Sequence, residues 1–409
     1  MKFFGMIDLL KQMCNRMIGG RQMNIVIAID SLKGSLSSLE AGAAISRGIK
    51  KIYPHADIQI RPLADGGEGT VEALALGMEG KIESVQVTGP LGQKVTADYG
   101  ILEKSQTNGK KTAIIEMSAA AGITLVKESE KNPLQTTTYG VGEIIKAAIA
   151  KGCRHFIVGI GGSATNDGGI GMLQALGFGI LNKEGRQVAF GAQGLQEIER
   201  ITDENAMPEL KECTFRIACD VTNTLCGKEG ASAVYGPQKG ADPGMVLQMD
   251  RWLADYAALS RKKYPRADME QPGTGAAGGL GFAFLTYMDS KLESGIRIVL
   301  EETRLEEYVQ HADIVITGEG RLDEQTAMGK APVGVAEIAK KYQKKVIAFA
   351  GSVTEAAGVC NEKGIDAFFP ILRKAVSLEE AMEQKNAEEN MSAAAEQVFR
   401  LIRCCEAGK

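Results

Sequence analysis

Residues Asn24–Asp30 (Asn-Ile-Val-Ile-Ala-Ile-Asp) form an unbroken β-branched apolar run that ends on a carboxylate and enters a Ser/Gly loop. A strand with no polar alternation is covered on both faces, the setting of a parallel sheet flanked by helices. A helix is predicted from about Ser37, because Ser37 and Glu40 have capping-box spacing and Leu39, Ala43, Ile45 and Ile49 share one face. Asp57–Pro62 reads as the next strand. Asp313–Thr317, Lys345–Ala350 and Ala367–Pro370 repeat the pattern, separated by helical stretches near Val333–Tyr342 and Thr354–Lys363. Two N-terminal and three C-terminal strands predict an α/β fold with a flavodoxin-like five-stranded parallel sheet of order 2-1-3-4-5.

A chain of 409 residues exceeds one ordinary core, so two domains are expected. The flavodoxin-like, Rossmann-type domain is predicted to be discontinuous, residues 23–64 plus 291–409, interrupted by a mixed α/β domain at 65–290. In the insertion, Lys81–Val87, Lys94–Ile101 and Thr112–Met117 read as antiparallel strands, with a hairpin tip at Glu103–Lys111. Helix Val141–Lys151, strands His155–Ile160 and Phe215–Cys219, and helix Pro243–Tyr264 follow, and Ser377–Cys404 is a C-terminal helix. Residues 1–22 are expected to lie outside the fold, with Met23 as the true start. The two domains are expected to enclose a cleft that holds the active site.

Several function classes drop out. A net charge of -4 and 5% aromatic residues argue against nucleic acid as a partner. No apolar run approaches the roughly 20 residues of a membrane helix. The eight cysteines form no Cys-x-x-Cys pair and several sit in apolar runs, which predicts reduced thiols in a cytoplasmic protein. Only His55, His155 and His311 occur, none in a glycine-rich stretch, so zinc sites and histidine-based triads are poor candidates. A P-loop fails at Glu324 and Ala331, no stretch matches the dinucleotide fingerprint, and a nucleophile elbow fails at Thr165.

What remains are six stretches rich in glycine, carboxylates, hydroxyls and amides. They are Asp30–Ser35, Asp65–Thr70, Gly159–Gly169, Asp220–Asn223, Gly273–Gly281 and Gly318–Thr326. Glycine lets backbone N–H groups approach an anion, and carboxylates hold a divalent cation. That pairing suits a magnesium nucleotide and a small acid. Lys33, in a loop before a helix, is placed to neutralise phosphate oxygens. Gly273–Gly281 reads chiefly as a place of close backbone packing or a hinge.

Taken in order, Asp30-Ser-Leu-Lys-Gly-Ser35, Ala64-Asp-Gly-Gly-Glu-Gly-Thr70, Gly159-Ile-Gly-Gly-Ser-Ala-Thr-Asn-Asp167, Tyr235-Gly-Pro-Gln-Lys-Gly240, Gly275-Ala-Ala-Gly-Gly-Leu-Gly281 and Gly318-Glu-Gly-Arg-Leu-Asp-Glu-Gln-Thr326 resemble the type I glycerate kinase family of bacteria. Thr224 departs from the proline expected there, and the N-terminal extension and the lysine-rich hairpin at 104–111 also look unlike the family. The resemblance implies ATP-dependent phosphorylation of D-glycerate with Mg2+, with 2-phosphoglycerate favoured over 3-phosphoglycerate. Lys33, Asp167 and Asp220 are the catalytic candidates, and Asp167 and Asp220 also the metal candidates. The sequence does not separate which carboxylate is base and which is ligand. Substrate contacts are expected from Asp30, Ser35, Asp65, Gly66, Gly67, Glu68, Ser163, Asn166 and Arg321. Nucleotide contacts are expected from Gly161, Gly162, Asn223, Gly318, Glu319, Gly320, Asp323, Gln325 and Thr326. The glycerate carboxylate should meet Lys33, Arg321 or the amides of Gly161, Gly162 and Ser163. A homodimer is left open. Two rivals are an NAD-dependent hydroxy-acid dehydrogenase and a non-catalytic sugar-acid-binding regulator.

Overall fold

The computed structural model describes residues 22–64, 66–67, 69–104 and 109–407. Residues 1–21 of the expected N-terminal extension (1–22) and part of the hairpin tip (105–108) therefore lie outside the described residues. The chain divides into two units. One holds residues through Arg61 and those from Glu306 onward; the other is Pro62–Leu305.

The first unit opens with β1 (Asn24–Ile27) and β2 (Asp57–Ile60), which pair in parallel. Between them, helix Ser38–Lys50 carries the predicted capping box: the Ser37 hydroxyl accepts from Glu40 N, and the Glu40 carboxylate accepts from Ser37 N at 2.8 Å. The chain then leaves for the second unit, which contains β3 (Lys81–Thr88), β4 (Lys94–Leu102), β5 (Thr112–Glu116), β6 (His155–Gly159), β7 (Gly179–Leu181), β8 (Arg200–Thr202), β9 (Thr214–Ala218) and β10 (Ser290–Glu293). It returns to the first sheet with β11 (Ile314–Leu322), β12 (Lys345–Val353) and β13 (Ala367–Pro370). The sheet of the first unit runs β13-β12-β11-β1-β2, all parallel, which is the expected 2-1-3-4-5 order. Its core packs Ile25, Ile27 and Ile29 with Ile45, Ile49, Phe349 and Phe399.

The main sheet of the second unit is mixed, in the order β10-β9-β6-β5-β4-β3. β3, β4 and β5 are antiparallel as expected, whereas β5, β6, β9 and β10 are parallel. The centre of this unit is aromatic, with Phe156 stacked on Phe215 at 4.7 Å between ring centroids. β10 was not anticipated, and it moves the expected border at residue 290. By pairing with β9 it draws residues 290–305 into the second unit. The predicted C-terminal helix is two, Leu378–Met382 and Gln384–Ala407, interrupted at Glu383. Cys153, Cys213 and Cys360 are buried free thiols, and Cys404 and Cys405 are exposed on the last helix. No helix among the described residues is long and apolar enough to cross a membrane.

Candidate active site

In the second unit, β6 and β9 are parallel neighbours in the register Gly159↔Ala218. The loops that follow them therefore leave the sheet side by side, at the carboxyl edge where open parallel sheets bind ligands. A cavity of about 390 Å3 lies there, lined by Gly66, Gly67, Gly161, Gly162, Ser163, Asp220, Tyr235 and Lys239 among others. Gly161 and Gly162 are exposed at this cavity. Gly162 has φ +70°, and a Cβ there would stand an ordinary 3.6 Å from the Ser118 Cβ. Space is not short, so the left-handed backbone is what demands glycine.

Below this loop the polar groups are interlocked. Ser163, 8% exposed, accepts a hydrogen bond from the Lys239 ammonium at 2.9 Å, and Lys239 also donates to the Thr165 carbonyl at 2.6 Å. Lys239 is only 2% exposed. Burial pushes its amine down to about 7, against the opposing pull of the Asp167 charge. Asp167 itself is fully buried. Its Oδ2 accepts from Thr138 N at 2.8 Å, Thr138 Oγ1 at 2.9 Å and Gly171 N at 3.3 Å, and its Oδ1 accepts from Gly169 N at 3.0 Å. Burial raises its pKa while these hydrogen bonds lower it. A carboxylate enclosed by four donors is not presented to a ligand. These bonds tie the end of the Gly159–Gly169 loop and the helix that begins at Ile170 to Thr138.

Asp220 is differently placed: it is exposed, lines the cavity, and its Oδ1 accepts from Gly295 N at 3.2 Å. Asn166 is fully buried, its amide donating to Ser232 Oγ at 2.9 Å, so it meets protein and not solvent. Asn223 donates to the Glu229 carbonyl and accepts from the Tyr235 hydroxyl at 2.6 Å, which anchors a cavity-lining ring. Asp65 and Glu68 lie outside the described residues.

The first unit gathers Asp30–Ser35 with Gly318–Thr326. Asp30 N donates to the Gly318 carbonyl at 2.9 Å, and a Cβ on Gly320 would stand 3.5 Å from Leu32 Cα and 3.7 Å from Lys33 N. The Thr326 hydroxyl donates to Glu319 Oε1 at 2.5 Å, and Asp323 Oδ1 accepts from Gln325 N and Thr326 N. Arg321 lies 3.5 Å from Asp323 Oδ2. Burial raises the Glu319 pKa; the Thr326 hydrogen bond and the Lys330 and Lys33 charges oppose it. The Ser35 hydroxyl oxygen is buried without a partner. Gly318 owes its identity to the sheet: at φ +151°, a Cβ would fall 1.9 Å from the Phe349 carbonyl oxygen of β12.

The six stretches thus sort into two groups, 30–35 with 318–326 in one unit and the rest in the other. Lys239 belongs to the second group and was missed as a site residue, although Tyr235-Gly-Pro-Gln-Lys-Gly240 was noted as a segment. The only signal available was a lysine between a Pro-Gln pair and a glycine, which does not reveal burial. Chemically, the described residues of the cavity supply exposed loop amides, a buried amine and an exposed carboxylate, groups able to hold an anionic acid and to receive a proton.

Comparison with known proteins identifies the family. Residues 25–403 match the profile of the glycerate kinase family. The chain is similar to glycerate kinase of Haemophilus influenzae, 46% identical over 380 residues, covering 93% of this chain and 99% of that one. It is also similar to glycerate 2-kinase of Escherichia coli, 47% identical over 359 residues, 88% and 93% of the two chains. A crystal structure assigned as glycerate kinase 2 from Salmonella typhimurium LT2 superposes with a TM-score of 0.87 at 45% identity, covering 95% of this chain and all of that one.

Proposed function

The chain belongs to the glycerate kinase family, phosphotransferases with an alcohol group as acceptor, and from that premise we propose that it transfers the γ-phosphoryl group of ATP to the 2-hydroxyl of D-glycerate. The observation that carries the reading is the cavity of the second unit, where the exposed Gly161–Gly162 backbone, Ser163 and Asp220 surround a space fit for a three-carbon acid. The choice of hydroxyl leans on the Escherichia coli relative, named a glycerate 2-kinase.

Asp220 is assigned the proton of the attacking hydroxyl, since it is the carboxylate among the described cavity residues that solvent and substrate reach. Such a base typically contributes 10²–10⁴-fold. The rest of the task is positioning and charge neutralisation, because phosphoryl transfer asks for little covalent chemistry from the protein. Lys33 is assigned to phosphate oxygens, with Gly320, Glu319 and Asp323 shaping the loop beside it. Asp167 keeps the Gly161–Ser163 amides in place by bracing the loop that carries them.

Among the described residues no three His, Cys, Asp or Glu side chains converge on one point. Asp220, the carboxylate among the described cavity residues, is the side chain that would contact a Mg2+ ion accompanying the nucleotide. When bound, the ion would neutralise developing charge on the phosphoryl oxygens.

Incubating the purified protein with D-glycerate and Mg-ATP tests the reading. ADP should form only when glycerate is present, and the phosphorus NMR coupling of the product should be that of a 2-phosphate. A 3-phosphate coupling pattern would remove the choice of hydroxyl, and glycerate-independent ADP release would remove the kinase assignment. NADH formation on adding NAD would favour the dehydrogenase rival.

A further inference from the structure

Among the described residues that line the cavity, one buried charged group has no task in the mechanism above. Lys239 is 2% exposed and lines the cavity, yet among the described residues its ammonium makes no ion pair. Of the three N–H bonds of its protonated form, one is given to Ser163 Oγ at 2.9 Å and one to the Thr165 carbonyl at 2.6 Å. Among the described residues no acceptor takes the third. The nearby carboxylate that acts on it through space, Asp167, has both oxygens engaged by Thr138, Gly169 and Gly171. Holding an ammonium out of water is costly unless a counter-charge meets it, so an unpaired lysine in this position is a poor structural device.

The same amine is unusually well fixed. Two short hydrogen bonds hold it beneath Ser163, and Gly161 and Gly162 are exposed at the same cavity. A cation with a donor to spare, beside exposed backbone amides, is the composition of an anion subsite.

We propose that Lys239 is the cation that receives the carboxylate of the acid substrate, donating its remaining N–H to one carboxylate oxygen while the Gly161–Ser163 backbone faces the same group. This rests on the glycerate reading and deepens it, because it makes the cavity selective for an acid over a neutral polyol. The shared chemistry is an oxyanion, so a phosphate of the nucleotide is the competing occupant, and the test separates the two.

The experiment is a cycle of binding measurements by titration calorimetry on the full chain. Wild type and Lys239→Met are each titrated with D-glycerate, with its uncharged amide D-glyceramide, and with ATP. Wild type should prefer glycerate over glyceramide by at least about tenfold, the scale of one hydrogen bond to a charged group. In Lys239→Met that preference should vanish, with ATP affinity unchanged and the circular dichroism spectrum native. A purely structural lysine would weaken all three ligands alike and leave the preference intact, which overturns the proposal. Loss of ATP affinity with the preference retained would make the subsite a phosphate site and overturn the carboxylate assignment. Should Lys239→Met fail to fold, the wild-type comparison still decides, since equal affinity for the acid and its amide is incompatible with a cationic carboxylate subsite. If wild type binds no glycerate, the functional reading fails; if it phosphorylates glycerate while Lys239→Met keeps the preference, only the subsite fails.

Discussion

Two aspartates that look equivalent as letters are separated by their surroundings. Asp167 and Asp220 each follow a strand of the same sheet, yet one is sealed behind four donors and the other is exposed. Asp220→Asn should lower kcat by at least about 10²-fold with an unchanged melting temperature, as expected for a proton acceptor. Asp167→Asn should behave differently. An amide offers one oxygen where the carboxylate offers two, so at least one backbone donor loses its acceptor. The expected cost is about 1–3 kcal/mol of unfolding free energy, measured by urea denaturation. Equal stability of the two variants would contradict the brace assigned to Asp167. His155 supplies a pH test at the same scale. It is 4% exposed, its Nε2 has no partner, and burial, with the Arg216 charge second, lowers it from 6.5 to about 4. The unfolded chain therefore binds this proton first as pH falls. Its stabilising share is complete above about pH 6.5 and is lost on descending toward pH 4, by up to about 3 kcal/mol. His155→Val should show a shallower loss over that window, and an identical slope would remove His155 as a contributor.

Glycine stretches read alike in a sequence but serve different elements. Gly318 lies within β11 and is required by the approach of the β12 carbonyl at Phe349, whereas Gly162 sits in an exposed loop with room around it. Gly318→Ala should therefore destabilise the fold severely, seen as a large fall in melting temperature. Gly162→Ala should cost only about 1 kcal/mol for its φ, with kcat/KM for glycerate falling more than stability accounts for. The reverse ranking would mean that the structural and ligand-facing roles have been exchanged. Elements that announce themselves by burial were legible: β1, β12 and β13 are apolar runs, and the Ser37–Glu40 capping box marked a helix start. β10 is Ser-Lys-Leu-Glu, an edge strand with one apolar residue, so no period-2 signal identifies it and the domain border drawn from sequence fell short. β7 and β8, three residues each, are too short for periodicity to register.

At the scale of the molecule, the parallel sheet order and the family were readable because many ordered motifs span nearly the whole chain. The site was readable only as a set of loops. Which residues of a loop face a ligand depends on partners far away in sequence, such as Thr138 for Asp167 and Ser163 for Lys239, separated by 29 and 76 positions. Spacing along the chain carries no trace of those pairings. Each unit also holds its own polar cluster, and the claim on which the functional account turns is that the acid substrate occupies the one in the second unit. A crystal structure of the protein soaked with D-glycerate tests it most directly. The account predicts density for the acid in the cavity beside Gly161, Gly162 and Asp220, with a carboxylate oxygen roughly 3 Å from the Lys239 amine. Glycerate bound instead at the Arg321 and Lys33 cluster of the first unit, with the second unit's cavity vacant, would contradict it.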